Sequence, residues 1–147
     1  MSHSPPYCTA ADLVAMRLMD ETELLQLTDT AGLGVIDEAA VAGAAETAAI
    51  EIDPYLAPVA TVPLTVVPPA VCRLACILTR FYLYHHSPTE HVQKQYDAAI
   101  KTLGLMAAGT IGFGAAPAAT PQPPAEPQFQ FDAGARAWGR DSGGGLA

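Results

Sequence analysis

The sequence predicts a mainly α fold: a small bundle of about five helices, two short and three long, with an extended C-terminal arm containing a short β-strand. Three observations carry this. Apolar residues recur at three- and four-residue steps through most of the first 112 positions. Ser, Thr or Asp with an acid close behind marks successive helix starts. Beyond Gly112 the composition turns to Ala, Pro and Gln, then to Gly. The chain therefore divides into a helical unit (1–112), an Ala/Pro-rich linker (113–127) and an extended arm (128–147).

The first short helix is expected over Thr9 to Leu18, with Thr9 as N-cap and Asp12 as partner in a capping box. A second begins at Asp20, with Glu23 closing its box, and ends near Thr28. Gly32 and Gly34 break the chain into a loop over Asp29 to Ile36. Asp37 then caps a long helix to about Tyr55, whose apolar face is Val41, Ala44, Ala45, Ala48, Ile52 and Leu56. Its small residues allow a neighbouring helix to approach closely.

Pro54, Pro58 and Pro63 predict an extended or turn-like segment. Pro69 suits the first turn of the next helix, running to about His85. Val71, Leu74, Ala75, Leu78, Phe81 and Tyr82 make that helix the most buried. Ser87-Pro88-Thr89-Glu90 reads as the start of the last helix, with Ser87 as cap and Pro88 in the first turn. Val92, Tyr96, Ala99, Ile100, Leu103 and Met106 form its buried stripe, and Gly109 ends it. In the arm, Gln128-Phe129-Gln130-Phe131 alternates at strand period, and a lone strand needs a partner.

The formal charge of −8 argues against a nucleic-acid binder, since phosphate affinity rests on Lys and Arg. Up to Asp53 the acids face a single base, Arg17. Such a surface repels DNA, which suits a passage through which a duplex slides. Glu21, Glu23, Glu38 and Glu46 lie off the apolar stripes and are the candidate channel-facing acids. No apolar signal segment follows Ser4-Pro5-Pro6, so export is not expected and the three cysteines are expected to stay reduced. The apolar run from Leu56 to Leu78 is broken by four prolines and Arg73, so no bilayer span is expected.

Cys72 and Cys76, with His85, His86 and His91 downstream, could in principle hold zinc. Cys76, however, falls in an apolar stripe where a free cysteine packs as a small hydrophobe. The loop from Asp29 to Asp37 has a faint likeness to a calcium loop, yet Ala31, Leu33 and Ala40 stand where oxygen ligands are needed. Neither metal nor cofactor is expected. Phosphate loops, nucleophile elbows and His-Glu-x-x-His helices are missing from the sequence, and paired acids sit at helix starts where the helix dipole accounts for them. An enzyme is not expected.

Arg73 and Arg80 are seven apart and share one helix face. They serve either a solvated edge paired with Glu46 or Glu51, or a subunit interface. Arg136, Trp138 and Arg140 project to one side of the extended arm, a combination enriched at interface hot spots.

Several segments, in order, resemble one family. Tyr7-Cys8-Thr9-Ala10-Ala11-Asp12-Leu13, Leu27-Thr28-Asp29 with Gly32, Gly34 and Asp37, and Glu51-Ile52-Asp53-Pro54-Tyr55-Leu56 form the first part. Leu74 to Tyr84 and the ending Gly134 to Ser142 complete it. Together they look like a small virion protein of Mu-like tailed phages. The resemblance implies a head–tail connector, also called an adaptor or head-completion protein. Such proteins form a ring of roughly twelve copies below the portal of the filled capsid. It further implies portal protein above, a neck or tail-terminator protein below, and DNA passing through without sequence-specific binding. The portal-binding role would fall to Phe129, Phe131, Arg136, Trp138 and Arg140. A tail terminator or other minor tail component, and a free helical regulatory or chaperone-like phage protein, are the alternatives.

Overall fold

Five helices appear in the computed structural model, which describes residues 6–85, 87–112 and Gly114. They are α1 (Ala10–Ala15), α2 (Glu21–Thr28), α3 (Glu38–Leu56), α4 (Pro69–Leu83) and α5 (Glu90–Ala107). Two are short and three long, as expected. The expected linker and arm, with its strand, lie outside the described residues, Gly114 excepted.

The box at α1 forms reciprocally. Asp12 N–H donates to Thr9 Oγ1 at 3.3 Å, and Thr9 N–H donates to the Asp12 carboxylate at 2.9 Å. The helix stops at Ala15, three residues short of the expected Leu18. Arg17 takes a left-handed conformation (φ 55°), and Leu18 N–H reaches back to the Leu13 carbonyl at 3.2 Å. This is a Schellman closure with arginine in the usual glycine position. It turns Leu18 and Met19 into the core.

Asp20 caps α2 by accepting from Glu23 N–H at 2.7 Å. Glu23 was expected to close that box; its side chain instead reaches α4. Asp37 caps α3 through the amides of Ala39 and Ala40. The helix continues through Pro54 to Leu56, one residue past the expected end near Tyr55. The proline sits in the last turn and forfeits one bond, to the carbonyl of Ile50, a residue on the solvent face at 58% exposure. Ala57 N–H still closes on Asp53 at 2.9 Å.

α4 has Pro68 as N-cap and Pro69 in its first turn. It ends at Leu83, with His85 in a left-handed turn (φ 46°). The start of α5 differs from expectation. Thr89, not Ser87, is the cap: its backbone is extended and its hydroxyl accepts from Val92 N–H at 3.3 Å. Ser87 and Pro88 lie outside the helix, and Val92 at the third position offers no acid to complete a box. At the other end Gly109 (φ 72°) closes the helix as expected, with Thr110 N–H bonded to the Leu105 carbonyl.

α3, α4 and α5 pack on one another, α1 rests against α3 and α4, and α2 against α3. Leu13, Leu24, Ile52, Leu56, Leu78, Leu83 and Leu103 are fully buried. Ala45, Ala48, Ala49, Ala75 and Ala99 fill the space between helices. Small residues permit close approach but bury little apolar area each, so the core is thin. Among the described residues no helix is long and apolar enough to cross a membrane.

Candidate functional site

Three carboxylates tie the bundle together through phenols and one arginine. Glu23 on α2 accepts from Arg80 on α4 at 2.7 Å (Nη2) and 3.2 Å (Nε), and from Tyr84 OH at 2.5 Å. Arg80 Nη1 donates to Gln95 Oε1 on α5 at 3.1 Å. One guanidinium thus joins three helices. Its planar fork holds several partners at once, which a lysine could not reproduce.

Glu51 on α3 accepts from Tyr82 on α4 and from Tyr96 on α5, the latter at 2.6 Å. Phe81 stacks on Tyr96 with ring centroids 4.1 Å apart. Asp53 accepts from Tyr7 OH, whose oxygen in turn accepts from Leu64 N–H at 3.0 Å. This pins the segment before α1 and the α3–α4 connection to the end of α3. Burial first, then the Asp53 hydrogen bond, push the Tyr7 phenol up to about 12. Burial and then the Glu51 hydrogen bond do the same for Tyr96, to about 12, and raise Tyr82 also. These phenols stay protonated donors throughout the physiological range.

The predicted acids separate. Glu21 and Glu38 are exposed in the first turns of α2 and α3. Glu46 is half-buried, and Glu23 is engaged by Arg80 and Tyr84. The arginines separate likewise. Arg80 pairs with Glu23 rather than with Glu46 or Glu51, and Glu51 serves Tyr82 and Tyr96. Arg73 is exposed and borders a groove of about 420 Å³ between α4 and α5. Ala70, Leu74 and Ile77 line one wall and Ala98, Thr102 and Met106 the other, with Gln95 at one end. The sequence reading missed both the tyrosine–acid anchors and this groove. Tyr7, Tyr82, Tyr84 and Tyr96 each bond an acid 31 to 61 positions away in sequence, so no local spacing announces them.

All three cysteines are free thiols, and Cys8 and Cys76 are buried. Cys8 donates to Thr79 Oγ1 at 3.3 Å, and Thr79 donates to the Ala75 carbonyl at 2.7 Å. Donation to Cys8, together with burial, pushes the Cys76 thiol up. Cys76 behaves as the small core residue its stripe suggested. Among the described residues no group of three or more His, Cys, Asp and Glu is placed to hold a metal ion.

In the Asp29 to Asp37 loop the acids serve the backbone. Asp29 accepts from Leu33 N–H at 2.8 Å and Gly34 N–H at 2.7 Å; these amides, Gly34 first, hold its carboxyl below the usual range. The loop connects α2 to α3 and displays Leu33 and Val35, 74% and 61% exposed.

The cap-to-cap order, from the Tyr7 segment through the Asp37 loop and the Glu51 helix to the α4 aromatics, is matched by a known family. The profile described as "Bacteriophage Mu, Gp36" covers residues 7–131. The chain belongs to this family. Among similar proteins, "Gene product J" of Escherichia phage Mu is 35% identical over 97 residues, covering 66% of this chain and 68% of that protein. "Mu-like prophage FluMu protein gp36" of Haemophilus influenzae is 34% identical over 79 residues, 54% of this chain and 56% of that protein. The Gp36 match takes in all five helices, the linker and both Phe129 and Phe131. It stops short of Arg136, Trp138 and Arg140.

Proposed function

We propose that this Gp36-family protein is a structural virion component, a head–tail connector that forms a ring below the portal. It completes the filled head, offers the platform for tail attachment and lets DNA pass. The observation that carries this reading is the extent of the family match. It runs from the first helix cap through the linker to Phe131 and so takes in the whole helical unit and the first residues of the arm, parts a connector would use. The all-helical character of the described unit favours a connector over a tail terminator, for which a β-rich core would be expected.

In this reading the chain is not an enzyme, and it works at the head–tail junction of the virion after assembling in the host cytoplasm. The acidic body lines the passage, with Glu21 and Glu38 as the exposed pair among the four candidate acids. Repulsion of phosphates acts over about a Debye length of ~8 Å and keeps the duplex sliding. The arm engages the portal, since extended segments bind by backbone hydrogen bonds and anchored side chains.

Sedimentation of the purified chain with and without portal rings tests this. The full chain should join portal rings in roughly twelve copies, each contact repeating around the axis. Deleting residues 126–147 should abolish that association while leaving helical content nearly unchanged. A full chain that never sediments with portal would contradict the assignment.

A further inference from the structure

α3 covers one side of the α4–α5 pair, and another side stays open. The open side is the groove of about 420 Å³, and no residue of α3 lines it. Its walls are apolar: Leu74 and Ile77 on α4 stand across from Ala98 and Met106 on α5, with exposed Arg73 at the edge. Two packed helices with an open furrow between them can seat a third, because ridges of side chains pack into such grooves.

The outer face of α3 is a surface of the matching kind. After Glu38, the exposed residues of this helix are Ala39, Ala42, Gly43, Thr47, Ile50 and Pro54, none of them charged. A surface helix ordinarily turns charged and polar groups to water. Here, in a chain of formal charge −8, the longest described helix shows water an uncharged strip with Ile50 58% exposed along it. Gly43 and Pro54 are as far apart along α3 as Gln95 and Met106 along α5, about 16 Å by the rise of an α-helix. Strip and groove therefore agree in length. Charge agrees as well. α3 carries four acids and no base, whereas α4 and α5 carry Arg73, Arg80, Lys94 and Lys101 against Glu90 and Asp97. Opposite net charges steer two such surfaces together.

We infer that the outer face of α3 in one copy seats in the α4–α5 groove of the next, with Ile50 between the apolar walls and Arg73 toward the acids of α3. Both surfaces are open in the single chain, so a second copy brings them together. They are different patches, which makes the contact heterologous: it repeats from copy to copy and closes into a ring where the rotation allows. For that closure it rests on the ring proposed above, whose subunit interface it names. Arg73 then serves between subunits, while Arg80 serves within one.

Sedimentation velocity of two single variants and of their mixture tests this, with purified full chains at concentrations up to millimolar. Ile50→Glu spoils the α3 face alone, and Ala98→Glu the groove alone. Both positions are exposed, so helical content and melting temperature should stay near those of the wild type. The wild type should associate as concentration rises, and each variant by itself at least about tenfold more weakly. An equimolar mixture should form dimers and stop there, because the Ala98→Glu copy keeps its α3 face and the Ile50→Glu copy keeps its groove. A wild type that stays monomeric would overturn the inference. So would association indifferent to both changes, or a mixture that fails to pair, the result expected if two α3 faces met each other. Portal rings separate this contact from the connector reading. Wild type that pairs as described but ignores portal would sink that reading alone, and variants that ring the portal as wild type does would sink this contact alone.

Discussion

Glu23 Oε1 lies 2.7 Å from Arg80 Nη2, with side-chain exposures of 25% and 12%, so the ion pair joining α2 to α4 is largely shielded from water. Shielding strengthens the attraction and raises the cost of losing one partner. Hydrogen bonds to charged groups contribute ~1.5–3 kcal/mol. Arg80→Met should therefore destabilise the chain by about 2 kcal/mol, since it strands Glu23 with only Tyr84 as donor. The Glu23→Gln, Arg80→Met double variant should cost less than the sum of the singles. Urea denaturation checks both, and an Arg80→Met change below about 0.5 kcal/mol would place the pair among inert surface bridges.

The raised phenols set an alkaline limit. Tyr7 and Tyr96, pushed up to about 12, keep their protons where an unfolded tyrosine loses its own near ~10. A group with a raised folded-state value contributes stability that is complete below the unfolded value and is lost as pH climbs through the folded one. Stability should hold below about pH 10 and fall between about 10 and 12. Phenolate absorbance in the native chain should lag behind that of the denatured chain. Glu51→Gln removes the charge beside Tyr96 and should bring its ionisation to lower pH. Coincident titration curves would show these anchors to be absent in solution.

Thr89 and Ser87 offer a test of a single cap. Thr89→Ala should cost about 1 kcal/mol by leaving Val92 N–H without its acceptor. Ser87→Ala should change stability by less than about half that. The reverse order of effects would restore Ser87 as the cap.

Helix existence was legible in the sequence, and the caps Thr9, Asp20 and Asp37 were read correctly because a cap is a local device. Boundaries failed where tertiary context prevailed. Arg17 accepts a left-handed backbone because doing so buries Leu18 and Met19. Glu23 looked like a box partner, but Arg80, 57 positions on, is the stronger claimant. The face of α3 gained Ala49, which the spacing rule left out although it is fully buried. Pairings between distant positions, such as Tyr7 with Asp53, have no sequence signal at all.

The acids proposed to face DNA can now be chosen by exposure. Glu21→Lys with Glu38→Lys alters two exposed residues in first turns, where the helix dipole makes each reversal cost at most ~1 kcal/mol. Glu23 should be left intact, because its reversal would set a lysine against Arg80. Particles carrying the double reversal should fold and assemble, then release DNA more slowly, and added salt should diminish the delay as counterions compete. Unaltered ejection kinetics would show that these acids face away from the passage.

The most direct measurement is the position of the chain in the virion, seen by electron microscopy of particles whose copies carry a small label at the exposed loop residue Leu33. The account predicts a ring of label at the portal vertex, between filled head and tail, and filled heads that leak DNA when the chain is withheld. Label spread along the tail, or virions free of it, would contradict the connector assignment.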